Sequence, residues 1–165
     1  MSLVAPRTIT PSAEDVPDVD DGGEKVTAGV FWPEIVLSDA RKEMRITGTV
    51  TTSRLKHVVI EAVGHAADQL DTWRIEQQNA GFASLDTVPA MEINGQSAKV
   101  YRWRRAVYSI ARALLIETFR DVDTTGDAGE KKAAALASQA NDHWRDARWA
   151  ISDIRGEVRN SAEAF

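Results

Sequence analysis

Three long stretches of this chain place apolar residues three and four positions apart, a spacing that only packed helices satisfy over such lengths. Leu55, Val59, Ala62, Ala66, Leu70 and Trp73 form one stripe. It predicts a helix over residues 53–79, roughly 40 Å long, ending near Gly81. Val100, Trp103, Val107, Ile110, Ala111, Leu114 and Leu115 cover a wider arc over residues 99–120, as in a central helix with more than one neighbour. Leu136, Ala140, Trp144, Ala147, Ile151 and Ile154 repeat over residues 128–155, and Gly156 supplies the stop. A shorter helix over 39–46 is capped by Ser38 or Asp39, and the Thr51–Ser53 cluster caps the one that follows. The expected class is all-α, a small bundle of about four helices, three of them long, with extended N- and C-terminal arms. Its predicted core is Leu55, Val59, Leu70, Trp73, Trp103, Val107, Ile110, Leu114, Trp144 and Ile151.

The remainder is punctuation. Pro89 and the Asn94-Gly95 pair predict a loop or a small hairpin flanked by Met91 and Ile93. Alanines 133–135, 137 and 140 suggest close helix approach. Residues 1–29 hold three prolines, three glycines and few large apolar side chains, too little to offset the entropy of ordering alone. The expected organisation is an acidic arm over 1–30, a helical domain over 31–155 and a tail over 156–165. The aromatic pair Phe31-Trp32 marks entry to the domain and reads as a core plug rather than a binding hot spot.

Composition narrows the function. With 165 residues and 43% hydrophobic content the chain supports one sizeable core. Of the net charge of -5, the first 29 residues carry -4, with six acids against Arg7 and Lys25. A body so near neutrality is poorly suited to sequence-independent attraction to phosphates. The chain has no cysteine, which removes disulfide and thiolate chemistry together. Its first twenty residues lack the basic start and apolar run of a signal peptide, and no run approaches a membrane span, so a soluble protein is expected.

Motifs with chemistry fail on inspection. Asp121, Asp123, Thr125, Gly126 and Asp127 occupy the first ligand positions of an EF-hand-like loop, but position 12 is Lys132, which brings a repelling charge where calcium needs a bidentate Glu. His57, His65 and His143 lack metal-ligand spacing. The serines lack a GxSxG elbow or an SxxK partner, and neither GxGxxG nor GxxxxGK[ST] occurs. No catalytic residue, metal or cofactor is assigned.

Two features point to assembly. Arg102, Arg105, Arg112 and Arg120 form a basic stripe opposite Trp103, Val107 and Ile110, read as a solvated face, a contact with an acidic partner, or a contact with DNA phosphates. Near the end of the last helix, Arg145, Asp146, Arg148, Asp153 and Arg155 surround Trp144 and Trp149. Trp144 lies on the core stripe. Trp149 lies off it and is the better subunit contact, because Trp and Arg dominate interface hot spots. The candidate interface set is Trp149, Arg148, Arg155, Phe165, Arg102, Arg105 and Arg112.

FWPEI at 31–35, MRITGTVT at 44–51 with Arg54-Leu55 following, WRRAVY at 103–108, RDVDTT at 120–125 and RDARWAISDIRG at 145–156 carry a resemblance in order and spacing. Over residues 31–156 the chain resembles the head completion (head-tail connector) proteins, the GpL family of contractile-tailed bacteriophages. The resemblance implies a non-enzymatic virion protein, assembled in the host cytoplasm, that sits on the portal vertex after packaging and receives the neck and tail. It further implies a homo-oligomeric ring, commonly twelvefold, with portal protein and a downstream neck or tail-completion protein as partners. Packaged DNA would pass through the ring without sequence-specific binding, and no membrane is involved. The alternative is a helical DNA-binding or DNA-packaging accessory protein using the Arg102 to Arg120 stripe.

Overall fold

The computed structural model describes residues 20–122 and 127–158, with side chains from 119 to 128 left aside. Residues 1–19, the centre of the EF-hand-like loop and Phe165 lie outside the described residues. In chain order the elements are β1 (Lys25–Val26), β2 (Ile35–Val36), α1 (Leu37–Glu43), α2 (Thr52–Gln69), α3 (Asp71–Asn79), β3 (Glu92–Ile93), β4 (Gln96–Ser97), α4 (Ala98–Val122) and α5 (Asp127–Arg155). The protein is thus a mostly helical bundle with two minimal hairpins.

α4 is central because its apolar arc is wide. Trp103, Ala106, Val107, Ile110 and Ala111 are buried in it, packed between α2 and α5. α5 returns antiparallel, so Lys99 at the start of α4 reaches Ile154 at the end of α5, and Trp144 donates to Glu117 at 2.8 Å. Gly156, with φ +74°, ends α5, and the Glu157 amide closes back onto the Ser152 carbonyl at 3.0 Å in a Schellman cap. Of the predicted core, Leu55, Val59, Leu70, Trp103, Val107, Ile110 and Ile151 are buried, while Trp73, Leu114 and Trp144 are half-buried at its margin.

The single helix expected over 53–79 is two. Thr51 caps α2 by accepting from the Arg54 amide, and Leu55, Val59, Ala62, Val63 and Ala66 bury its inner face. At Leu70 the backbone leaves helical geometry (φ -103°, ψ 3°) and α3 restarts with Asp71, whose carboxylate takes the Arg74 guanidinium at 2.6 Å. The break keeps Leu70 in the core and brings Trp73 edge-on to Phe31 at 6.2 Å. A stripe at helical spacing does not register such a bend, because Trp73 keeps that spacing across it although α3 buries no residue fully.

The described part of the expected arm, residues 20–30, folds onto the body. Lys25 and Val26 pair antiparallel with Val36 and Ile35, and Val26 enters the core. Asp21, at φ +52°, and Arg41 of α1 are the buried charged residues among those described. Arg41 donates to the Asp21 carboxylate from Nε at 2.8 Å and from Nη2 at 2.6 Å, and to the Thr47 and Val50 carbonyls at 3.0 and 2.9 Å. Thr52 completes the carboxylate shell at 2.7 Å. One guanidinium therefore ties the N-terminal segment, α1 and the turn before α2 together. Phe31 and Trp32 lie in the core, Trp32 stacked on Trp103 at 4.3 Å, and the Trp103 indole donates to the Pro33 carbonyl at 3.1 Å.

Candidate assembly surface

The chemistry-bearing side chains do not converge. Among the described residues no group of three or more His, Cys, Asp or Glu side chains is placed to hold a metal ion. His57 and His65 are exposed on α2, and His65 leans on the Trp144 ring at 5.3 Å. His143 is held below the usual imidazole range, first by burial and then by the Arg112 charge. A groove of about 470 Å³ between α1 and α4 is lined by Asp39, Lys42, Tyr101, Arg104 and Tyr108. Burial pushes the Tyr108 hydroxyl up to about 12, so it stays protonated at neutral pH.

The basic stripe of α4 lies along its seam with α5 rather than on an open face. Arg102 donates to the Asp153 carbonyl at 3.3 Å and Lys99 to the Ile154 carbonyl at 2.6 Å, so two cations meet the negative end of the α5 dipole. Lys99 also lies 5.4 Å from the Trp73 ring centre, and burial followed by the Arg102 charge lowers its pKa. Arg105 faces Asp146 of α5 at 3.7 Å, with both side chains substantially exposed. Arg112 is half-buried beside His143, ten residues or about 15 Å along α4 from Arg102. Arg120's side chain lies outside the described residues. The unpaired carbonyls at the end of α5 and the Asp146 carboxylate explain the difference, since neither is visible in the periodicity of α4 alone.

At the C-terminal end of α5, Arg148 is exposed and Trp149 half-buried, with the Arg145 guanidinium 5.0 Å from its ring. Arg155 sits differently from its neighbours. It donates to the Gln69 carbonyl, which the break at Leu70 has released from the helical ladder, and pairs with Glu157 at 3.7 Å. It therefore ties α5 to α2. The structure groups Trp149, Arg148, Arg102 and Arg155 toward one end of the bundle and leaves Arg112 toward the other.

The segment expected as a loop or small hairpin is a hairpin that carries two exposed apolar side chains. Asn94 (φ +51°) and Gly95 (φ +73°) make the tight turn of the β3–β4 hairpin, which pairs Glu92 with Ser97 and Ile93 with Gln96. Met91 (72% exposed) and Ile93 (46% exposed) alternate on it, outside the core. The hairpin is fixed to α4 by the Ala98 amide to the Met91 carbonyl at 2.8 Å and by Arg104 to Gln96 at 3.1 Å. The flanking of an Asn-Gly turn by Met91 and Ile93 was the available signal.

The profile of the phage head completion protein (GPL) family matches residues 26–165. The head completion/stabilization protein of Escherichia phage P2 is 33% identical over 163 residues, 96% of each chain. No solved structure matches. A match that spans the whole helical body, together with near full-length similarity to the P2 protein, places this chain in the phage head completion protein (GPL) family.

Proposed function

We propose that the protein is a non-enzymatic virion component that assembles as a ring, of twelve copies in the simplest case, on the portal vertex after DNA packaging and presents the attachment site for neck and tail. Near full-length similarity to the head completion/stabilization protein of phage P2 carries this reading. The geometry supports it in three ways. The body is a helical bundle, its mixed-charge surface on α5 suits a protein partner, and its near-neutral charge, beneath a chain total of -5, lets DNA pass an opening without being held. Its partners would be further copies of itself, the portal protein and a downstream neck or tail-completion protein, with assembly in the host cytoplasm. Trp149 and Arg148 on α5 and Arg105 and Arg112 on α4 are the proposed contact residues, and Arg102 and Arg155 position the end of α5 that presents Trp149 and Arg148.

The DNA-accessory reading loses ground, because Arg102 is engaged with the end of α5 and the body is near neutral. The test is complementation in vitro. Filled heads made without this protein should leak DNA and fail to accept tails, and adding the purified protein should restore both. Restored packaging with no effect on tail joining would favour the accessory role instead.

A further inference from the structure

The turn after α1 borders a groove of about 510 Å³, closed on its other sides by Leu115 and Ile116 of α4 and Leu136 of α5. Its floor is aliphatic, with Ile46, Val50, Leu115 and Ile116 buried. Its charge is of one sign: Arg45, Arg112 and Lys132 line it, and among the described lining residues there is no carboxylate. A groove of this kind fits an acidic segment interrupted by small apolar residues.

The chain itself holds such a segment, and in the right place. Residues 14–18 read Glu-Asp-Val-Pro-Asp, three carboxylates around a valine and a proline. They run directly into Asp20, where the described structure begins. Asp21 is fixed to Arg41, and the same guanidinium donates to the carbonyls of Thr47 and Val50 at 3.0 and 2.9 Å, two residues that line the groove. The acidic segment thus joins the body one side chain away from the groove's rim. Six extended residues reach about 20 Å, whereas Lys132 to Gln139 occupy only about 10 Å along α5.

We propose that residues 14–18 lie in this groove of their own copy, with Val16 on the aliphatic floor and the carboxylates facing Arg45 and Arg112, in a field that Lys132 reinforces. A tether this short holds the two surfaces at an effective concentration in about the millimolar range, so exposed charge pairs too weak to join separate molecules are sufficient. The contact itself needs no ring. One consequence does rest on the ring reading above: Arg112, a proposed contact residue, is covered until a partner displaces the segment.

The native chain has no cysteine, so engineered pairs report proximity cleanly. Full-length protein carrying Val16→Cys and Gln139→Cys, dilute and without portal, is treated with a short bis-maleimide. The control carries Val16→Cys and Ile60→Cys. Ile60 is exposed, borders a different groove, and lies eight residues, about 12 Å, along α2 from the Thr52 that also touches Asp21. The 16–139 link should form within one chain at least about tenfold faster than the 16–60 link, at a rate independent of protein concentration. Glu14→Gln, Asp15→Asn and Asp18→Asn together leave the helical body untouched and should remove most of that difference. Equal rates at native charge, or a preference that survives the three substitutions, overturns the proposal. A link that forms between chains and rises with concentration gives the groove to a second copy and overturns it as well. None of these results bears on portal attachment, so the ring reading stands or falls separately.

Discussion

Asp21–Arg41 and Arg105–Asp146 join the same kinds of charge, yet they sit at opposite extremes of the molecule. In the first pair the side chains are 0% and 5% exposed, held at 2.6 Å, and every polar edge has a partner. In the second they are 45% and 35% exposed and 3.7 Å apart. Water competes for the second pair and is excluded from the first. The contrast separates charges that specify the fold from charges that remain available to a neighbour: a buried, saturated pair cannot be exchanged for a partner's, whereas an exposed pair can be.

Breaking the buried pair should have the largest effect. Asp21→Ala or Arg41→Ala leaves one charge buried and unpaired, and a loss of about 3–5 kcal/mol is expected in chemical denaturation. Acid sharpens the same point. Hydrogen bonding from Arg41 holds the Asp21 carboxyl below its ordinary value, with Thr52 assisting and burial opposing. Its contribution is therefore complete above the ordinary carboxylate pKa of about 3.9 and is lost as pH falls through the lowered folded value. An Asp21→Asn variant should show a shallower acid limb than wild type; an unchanged limb would remove Asp21 as its source.

Intermediate effects belong to the tie between α5 and α2. Arg155→Ala should cost about 1 kcal/mol, because it strips the Gln69 carbonyl at the helix break of its charged donor. Arg105→Ala should cost less than about 1 kcal/mol, and less still at high salt, since its pair is exposed. Trp149→Ala should alter stability least, leaving far-UV circular dichroism unchanged while weakening attachment to portal rings. A drop in helicity there would make Trp149 part of the core instead of the contact surface.

How far the sequence reveals the molecule depends on how local each determinant is. The stripe from Val100 to Leu115 and the Gly156 stop are local signals, and they yield α4 and the end of α5 nearly to the residue. The break at Leu70 is hidden because Trp73 keeps helical spacing across it. Asp21 and Arg41 are twenty residues apart, and nothing in either neighbourhood announces the other, so a segment read as an arm proves to be stapled at residue 21. At the surface, Trp149 is marked by its position off the stripe. Arg102 and Arg155 are misread as outward-facing because the carbonyls they cap belong to other helices.

Whether this family member joins the portal as several copies is decided by mass measurement of the full-length protein with purified portal rings. The portal complex should gain a fixed multiple of the 18.1 kDa chain, consistent with one copy per portal subunit. A chain that stays monomeric and leaves the portal mass unchanged would contradict it.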